Sequence, residues 1–183
     1  MKKIQPTILA FLLLGLLAPQ SHAQKGSAQV KISIIPKPVK MEASSGVFQV
    51  GPLTKIVFDI KAEEGLAVGE EFAARLRSAT DLPLEVLPAG PKTPKNAVSI
   101  KMNEALTRLG NEGYLLSVTK NSITVEAAAP AGLFYGVQSL YQLLPPEVEK
   151  MEAAGGISWS VPCVKIEDVP RFRWRGVHLD VGR

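Results

Sequence analysis

The side chains best equipped for chemistry gather at the end of the chain, where Arg171, Arg173, Arg175, His178, Asp180 and Arg183 fall within residues 170–183. A guanidinium is permanently charged and presents its donors in one plane, so it suits ion pairing and planar recognition. On residue type alone, Arg175 is expected to pair with a carboxylate, and the cluster of Arg171, Arg173 and Arg175 to be a solvated or phosphate-like patch. His178 lies inside an apolar run and reads as a packed side chain rather than an acid or base. Trp159 and Trp174 could stack on a ligand, but both sit on strand-like apolar stretches and read as core. Cys163, flanked by Val161, Val164 and Ile166, reads as a small buried hydrophobe rather than a nucleophile.

Several function classes fall away on composition. A single cysteine excludes an internal disulfide framework, and the two histidines, His22 and His178, supply no metal-ligand set of the usual Cys and His type. No metal and no cofactor are therefore expected. The chain has 21 basic and 17 acidic side chains, and loss of Lys2 and Lys3 with a cleaved leader halves the +4 excess. With the remaining basic residues scattered, nucleic-acid binding gains no support.

Residues 1–23 carry Lys2 and Lys3, an apolar run over 8–17 and then Ser21-His22-Ala23, the order of a cleaved signal peptide. The apolar run is about half the roughly 20 residues that a bilayer span requires, so no membrane span is expected after cleavage. Export to the periplasm or beyond the cell is the expectation, with 24–30 as a small, polar, flexible leader.

The elements that must position the terminal cluster follow from periodicity. Pro36 and Pro38 limit 32–35 to an edge or irregular strand. Short strands are expected over 47–50 and 55–60, then a helix over 61–80, where Leu66, Phe72, Ala73 and Leu76 share a face and acidic residues precede basic ones. Strands over 84–87 and 97–102 come next. Alternation through Tyr114, Leu116 and Val118, a turn at Lys120-Asn121-Ser122, and renewed alternation at Ile123 and Val125 predict a hairpin. Leu133, Val137, Leu140, Tyr141 and Leu144 predict a second helix over 131–144, stopped by Pro145-Pro146. A last strand spans 159–166, and Pro170 marks a boundary. The pattern predicts an α+β fold: a mostly antiparallel sheet over 31–169 with two helices on one face.

Such a fold names no activity, but particular words do. Gly113-Tyr114-Leu115-Leu116-Ser117-Val118, Ile123-Thr124-Val125 and the stretch from Gly132-Leu133-Phe134-Tyr135-Gly136 through Gln142-Leu143 resemble the hairpin and helix of the domain that precedes the barrel in β-N-acetylhexosaminidases of glycoside hydrolase family 20. Ser139 stands where a threonine is common. Ile34-Ile35-Pro36-Lys37-Pro38 with Gly46-Val47-Phe48 is similar to that domain's opening. Sibling hydrolase families begin with a related domain, but Arg175-Gly176, a short apolar run, Leu179-Asp180 and then Arg183 resemble the first barrel strand of family 20.

The resemblance implies an accessory domain over 31–169 and, over 170–183, only the start of a catalytic (β/α)8 barrel, the remainder of which the chain lacks. It implies a glycan partner and hydrolysis of terminal β-linked N-acetylglucosamine or N-acetylgalactosamine, with the sugar's own acetamido oxygen as nucleophile. It assigns Arg175 to the hydroxyls at carbons 3 and 4 of that sugar, and Asp180 and Arg183 to bracing the pocket. The Asp-Glu pair that would orient the amide and protonate the leaving oxygen belongs to a later strand, so no catalytic residue is expected in this chain. The alternative is a self-standing periplasmic carbohydrate-binding or scaffold module without a barrel.

Overall fold

The computed structural model describes residues 32–58, 63–90, 94–150 and 152–182. The leader, with its signal-peptide reading, and Arg183 lie outside the described residues. Seven strands form one sheet: β1 (Lys40–Gln49), β2 (Lys55–Phe58), β3 (Glu85–Pro88), β4 (Ala97–Met102), β5 (Tyr114–Val118), β6 (Ser122–Ala127) and β7 (Ser160–Asp168). Helix α1 (Glu63–Thr80) joins β2 to β3, and α2 (Pro130–Leu143) joins β6 towards β7. The spatial order is β1-β7-β5-β6-β4-β2-β3.

The α+β reading and the two helices stand, but the sheet is not mostly antiparallel. The pairs β1–β7, β7–β5 and β5–β6 are antiparallel, whereas β6–β4, β4–β2 and β2–β3 are parallel. The reason lies in the connections. A helix between β2 and β3 returns the chain to the same end of the sheet, which forces parallel pairing, and β4 then inserts between β2 and β6 rather than beside β3. Only the tight turn at Lys120–Asn121 makes the expected hairpin of β5 and β6, closed by Thr119 N donating to Ser122 O at 2.9 Å.

β1 is longer than alternation predicts. Its first half, rich in small and polar residues, is exposed along an edge and is held by the register Lys40↔Glu167 to Ala43↔Val164. The register then shifts between Ala43 and Val47, where Gly46 takes φ +110°, a conformation that side chains rarely adopt. The segment at 32–39 is irregular rather than a strand. The side-chain amide of Gln142 acts as its pairing partner, accepting from Ile35 N at 2.9 Å and donating to Ile35 O at 3.0 Å.

Both helices cover one face and touch each other, with the Phe72 and Tyr141 rings 5.6 Å apart. Phe72, Leu76, Leu133, Val137 and Leu140 pack on Ile56, Phe58, Val98, Ile100, Leu116, Ile123 and Val125, all of them buried. The close seating of α2 depends on two glycines one helical turn apart. A Cβ on Gly132 would lie 2.3 Å from the Gly113 carbonyl oxygen, and one on Gly136 would lie 2.5 Å from Val125 Cγ1. Trp159 and Cys163 are buried as expected.

Two phenols are sealed under the helices. The Tyr114 and Ser139 hydroxyls share a hydrogen bond of 2.6 Å. Burial pushes the Tyr114 phenol up to about 12, opposed by the Ser139 bond, and burial likewise pushes Tyr141 up to about 12, opposed by Arg75. Arg75 lies 4.7 Å from the Tyr141 ring centroid. A phenol in the unfolded chain ionises near pH 10, so these groups contribute stability that is complete below about pH 10. It is lost as pH rises towards about 12, because the unfolded chain then releases protons that the folded chain retains. Chemical-denaturant midpoints measured from pH 8 to 12 should be flat to about pH 10 and then fall, and Tyr114→Phe should lessen the fall.

Candidate functional site

Arg175, the expected ligand-contacting residue, lies on a segment that runs away from β7. Residues 170–182 form no strand or helix, so the strand expected over 174–181 is not present. A strand needs a neighbour to hydrogen-bond, and no element pairs with this one among the described residues. The alternation of the segment is nonetheless visible as exposure: Trp174 is 87%, Val177 93%, Leu179 77% and Val181 81% accessible. The expectation of Trp174 as a core side chain is thereby corrected, and His178 is exposed rather than packed.

The Arg175 guanidinium is nevertheless held. Its Nη1 donates to the Phe172 carbonyl oxygen at 2.8 Å. Its Nη2 donates to Glu112 Oε2 at 2.9 Å and to the Tyr135 hydroxyl at 3.2 Å. The guanidinium carbon lies 5.6 Å from the Tyr135 ring centroid. Glu112 comes from the turn that follows the short 3-10 helix Glu104–Leu109 and precedes β5; Tyr135 comes from the outer side of α2, beside Phe134. The Glu112 carboxylate, and then the Tyr135 hydroxyl, raise the Arg175 pKa above its usual value and so favour the cation. The pairing with a carboxylate that residue type alone suggests is therefore what the structure shows, and the carboxylate belongs to the accessory domain.

Asp180 is exposed and accepts from Gly182 N at 3.0 Å. Among the described residues nothing joins it to Arg175. Glu112 and Tyr135 were not legible as site residues from sequence. The available signal was slight: a hydroxyl-bearing aromatic on the solvent side of an otherwise apolar helix, and an acid next to the glycine that opens the hairpin.

The open face of the sheet offers no second centre. Its shallow depression, lined by Lys40, Glu42, Ser117, Thr124, Glu126 and Glu167, is crossed by ion pairs. Arg108 grips Glu167 through two bonds of 2.8 and 2.7 Å, and Lys101 pairs with Glu126 at 3.2 Å. The Arg108 bond holds the Glu167 carboxyl below the usual carboxylate range, the wrong direction for an acid that must keep its proton near neutrality. No group of three or more His, Cys, Asp or Glu that could hold a metal occurs among the described residues, and no helix among them is long and apolar enough to cross a membrane.

A mixed seven-stranded sheet with two helices on one face, continuing into an arginine-bearing segment, defines a small α+β domain. The family description "Glycosyl hydrolase family 20, domain 2" matches residues 31–169, and the chain belongs to glycosyl hydrolase family 20. It is 38% identical over 152 residues to a beta-hexosaminidase of Porphyromonas gingivalis, covering 83% of this chain and 19% of that protein. It is 32% identical over 153 residues to a beta-N-acetylhexosaminidase of Cellulomonas fimi, covering 83% of this chain and 29% of the relative. The solved N-acetyl-beta-hexosaminidase of Streptomyces plicatus superposes with a TM-score of 0.68 at 36% identity, over 78% of this chain and 27% of that one. The chain thus spans less than a third of the length of each of these proteins.

Proposed function

We propose that this chain is the N-terminal part of an exported exo-β-N-acetylhexosaminidase, with residues 1–23 as its signal peptide, 31–169 as its accessory domain and 170–183 as the opening of a (β/α)8 catalytic barrel. The single observation that carries the reading is the family 20 domain over 31–169 followed at once by Arg175-Gly176 and Leu179-Asp180. The row of exposed apolar side chains from Phe172 to Val181 supports it. Five large hydrophobics with 71–93% exposure on one short segment make a surface that further protein would cover.

In this reading the enzyme cleaves terminal β-linked N-acetylglucosamine or N-acetylgalactosamine with retention. The acetamido oxygen of the sugar attacks the anomeric carbon, an aspartate orients the amide and a neighbouring glutamate protonates the leaving oxygen. Arg175 holds the hydroxyls at carbons 3 and 4: a planar set of charged donors fixes both at once and sets the ring's orientation. Asp180 and Arg183 brace the pocket. Among the described residues, Glu42, Glu85, Glu112, Glu126, Glu149 and Glu167 are each paired with a cation, and none of them is assigned the acid role.

Two assays test this. The 183-residue polypeptide, incubated with an aryl N-acetyl-β-glucosaminide, should give no turnover above a buffer blank; measurable hydrolysis would refute the assignment of the acid and the amide-orienting aspartate to other strands. Reading the coding sequence beyond Arg183 should reveal an open frame with an Asp-Glu pair. A stop codon at that point would favour the stand-alone carbohydrate-binding or scaffold module instead.

A further inference from the structure

We propose that Glu112 and Tyr135 form a latch that draws the segment after Pro170 onto the accessory domain by holding Arg175, so that the guanidinium has two alternative partners: this latch and, on the reading above, a sugar diol. Both terminal nitrogens are already engaged in the latched state, Nη1 by the Phe172 carbonyl and Nη2 by Glu112 and the Tyr135 hydroxyl. Three of the five guanidinium N–H groups are thus taken, and on the reading above the sugar site lies in the barrel rather than beside Glu112, so latching and sugar contact compete by position.

The geometry is specific for a latch rather than a passing surface pair. The carboxylate meets the guanidinium in line with one nitrogen, the phenol both accepts from that nitrogen and places its ring beneath the cation, and the Phe172 carbonyl closes a loop of three residues around the same side chain. Glu112 stands on the turn before β5 and Tyr135 on α2, which packs against β5, so the two are brought together by the core below. By contrast, the neighbouring side chains of the segment, Trp174 and Val177, lie open to solvent. Among the described residues, the Arg175 side chain makes the hydrogen bonds that join this stretch to the accessory domain.

Chymotrypsin cleavage of the folded 183-residue chain after Trp174, followed by mass spectrometry, reads the tether directly. Glu112→Gln should raise the rate about two- to fivefold, the range of a half-exposed ion pair, and Tyr135→Phe, which keeps the ring but removes the acceptor, should raise it less. Sodium chloride at 0.5 M should bring the wild-type rate up to that of Glu112→Gln. The exchange Glu112→Arg with Arg175→Glu should restore slow cleavage where Glu112→Arg alone is fast. Equal thermal midpoints and unchanged Trp159 emission exclude unfolding as the cause. Equal cleavage rates in wild type, Glu112→Gln and Glu112→Arg would overturn the latch. That outcome would leave the hexosaminidase reading intact, because Arg175 could still meet sugar; absence of an Asp-Glu pair in the coding sequence would remove that reading and leave the latch standing.

Discussion

In the whole enzyme, replacing Arg175 by alanine is expected to lower kcat/KM on an aryl N-acetyl-β-glucosaminide by a hundredfold or more. On the proposed function, two hydrogen bonds from a charged donor to neighbouring hydroxyls would be lost together, and bonds to charged groups are the strong ones. On that proposed function, the sugar would also lose the contact that fixes its ring for attack by its own acetamido oxygen, so orientation would fall with affinity. Arg175→Lys keeps the charge but not the planar fork, and should recover only part of the loss. Glu112→Gln in the same enzyme should do the opposite of Arg175→Ala in direction: removing a competing partner leaves kcat/KM equal or slightly raised. A loss in Glu112→Gln as deep as that in Arg175→Ala would mean that Glu112 orients the arginine for sugar rather than competing for it.

The second large effect is on folding. Gly132→Val is expected to destabilise the domain by about 3 kcal/mol, the upper part of the range for overpacking a tight interior. The Cβ alone would meet the Gly113 carbonyl oxygen at 2.3 Å and the Ala127 side chain at 2.7 Å, and backbone cannot swing aside as a lysine tip can. Relief would require α2 to lift from β5 and β6, exposing Leu133 and Val137. Gly136→Ala meets a side chain, Val125, and an alanine gains about 1 kcal/mol of helix propensity over glycine. Its net cost should therefore be smaller than that of Gly132→Val. Gly155→Ala, with nothing within 4 Å and no unusual backbone angle, should be neutral. Urea midpoints of the three variants would check the order.

Much of this architecture is written in local patterns. The 3.6-residue spacing of Phe72, Ala73 and Leu76, and of Leu133, Val137 and Leu140, finds both helices and their buried faces. The alternation of Tyr114, Leu116 and Val118 against Ile123 and Val125 finds the hairpin and the sides it buries. Strand direction is another matter. Ala97 to Met102 pairs with β2 on one side and β6 on the other, both in parallel, and nothing within those six residues selects those neighbours. The β2–α1–β3 succession does contain the signal for a parallel pair, and giving it more weight than the hairpin would have predicted a mixed sheet. The first half of β1 escaped because an exposed edge strand need not alternate, so Ser44 and Ser45 look like a loop.

The site divides in the same way. Arg175, Asp180 and Arg183 are proposed only through resemblance, since an arginine by itself is as ready for a carboxylate as for a sugar. Its observed partners, Glu112 and Tyr135, lie 63 and 40 residues away in sequence. The fold of the accessory domain, with α2 laid against β5, is what brings them to one place. Composition had no means of joining an acid in a turn to a phenol on a helix.

The decisive measurement is a crystal structure of the whole enzyme with N-acetylglucosamine bound. Residues 174–181 are expected to pair as a strand of the barrel, with the Arg175 guanidinium within hydrogen-bond distance of the oxygens on carbons 3 and 4 and released from Glu112. A bound sugar gripped by other side chains, with Arg175 still on Glu112 and Tyr135, would contradict this expectation.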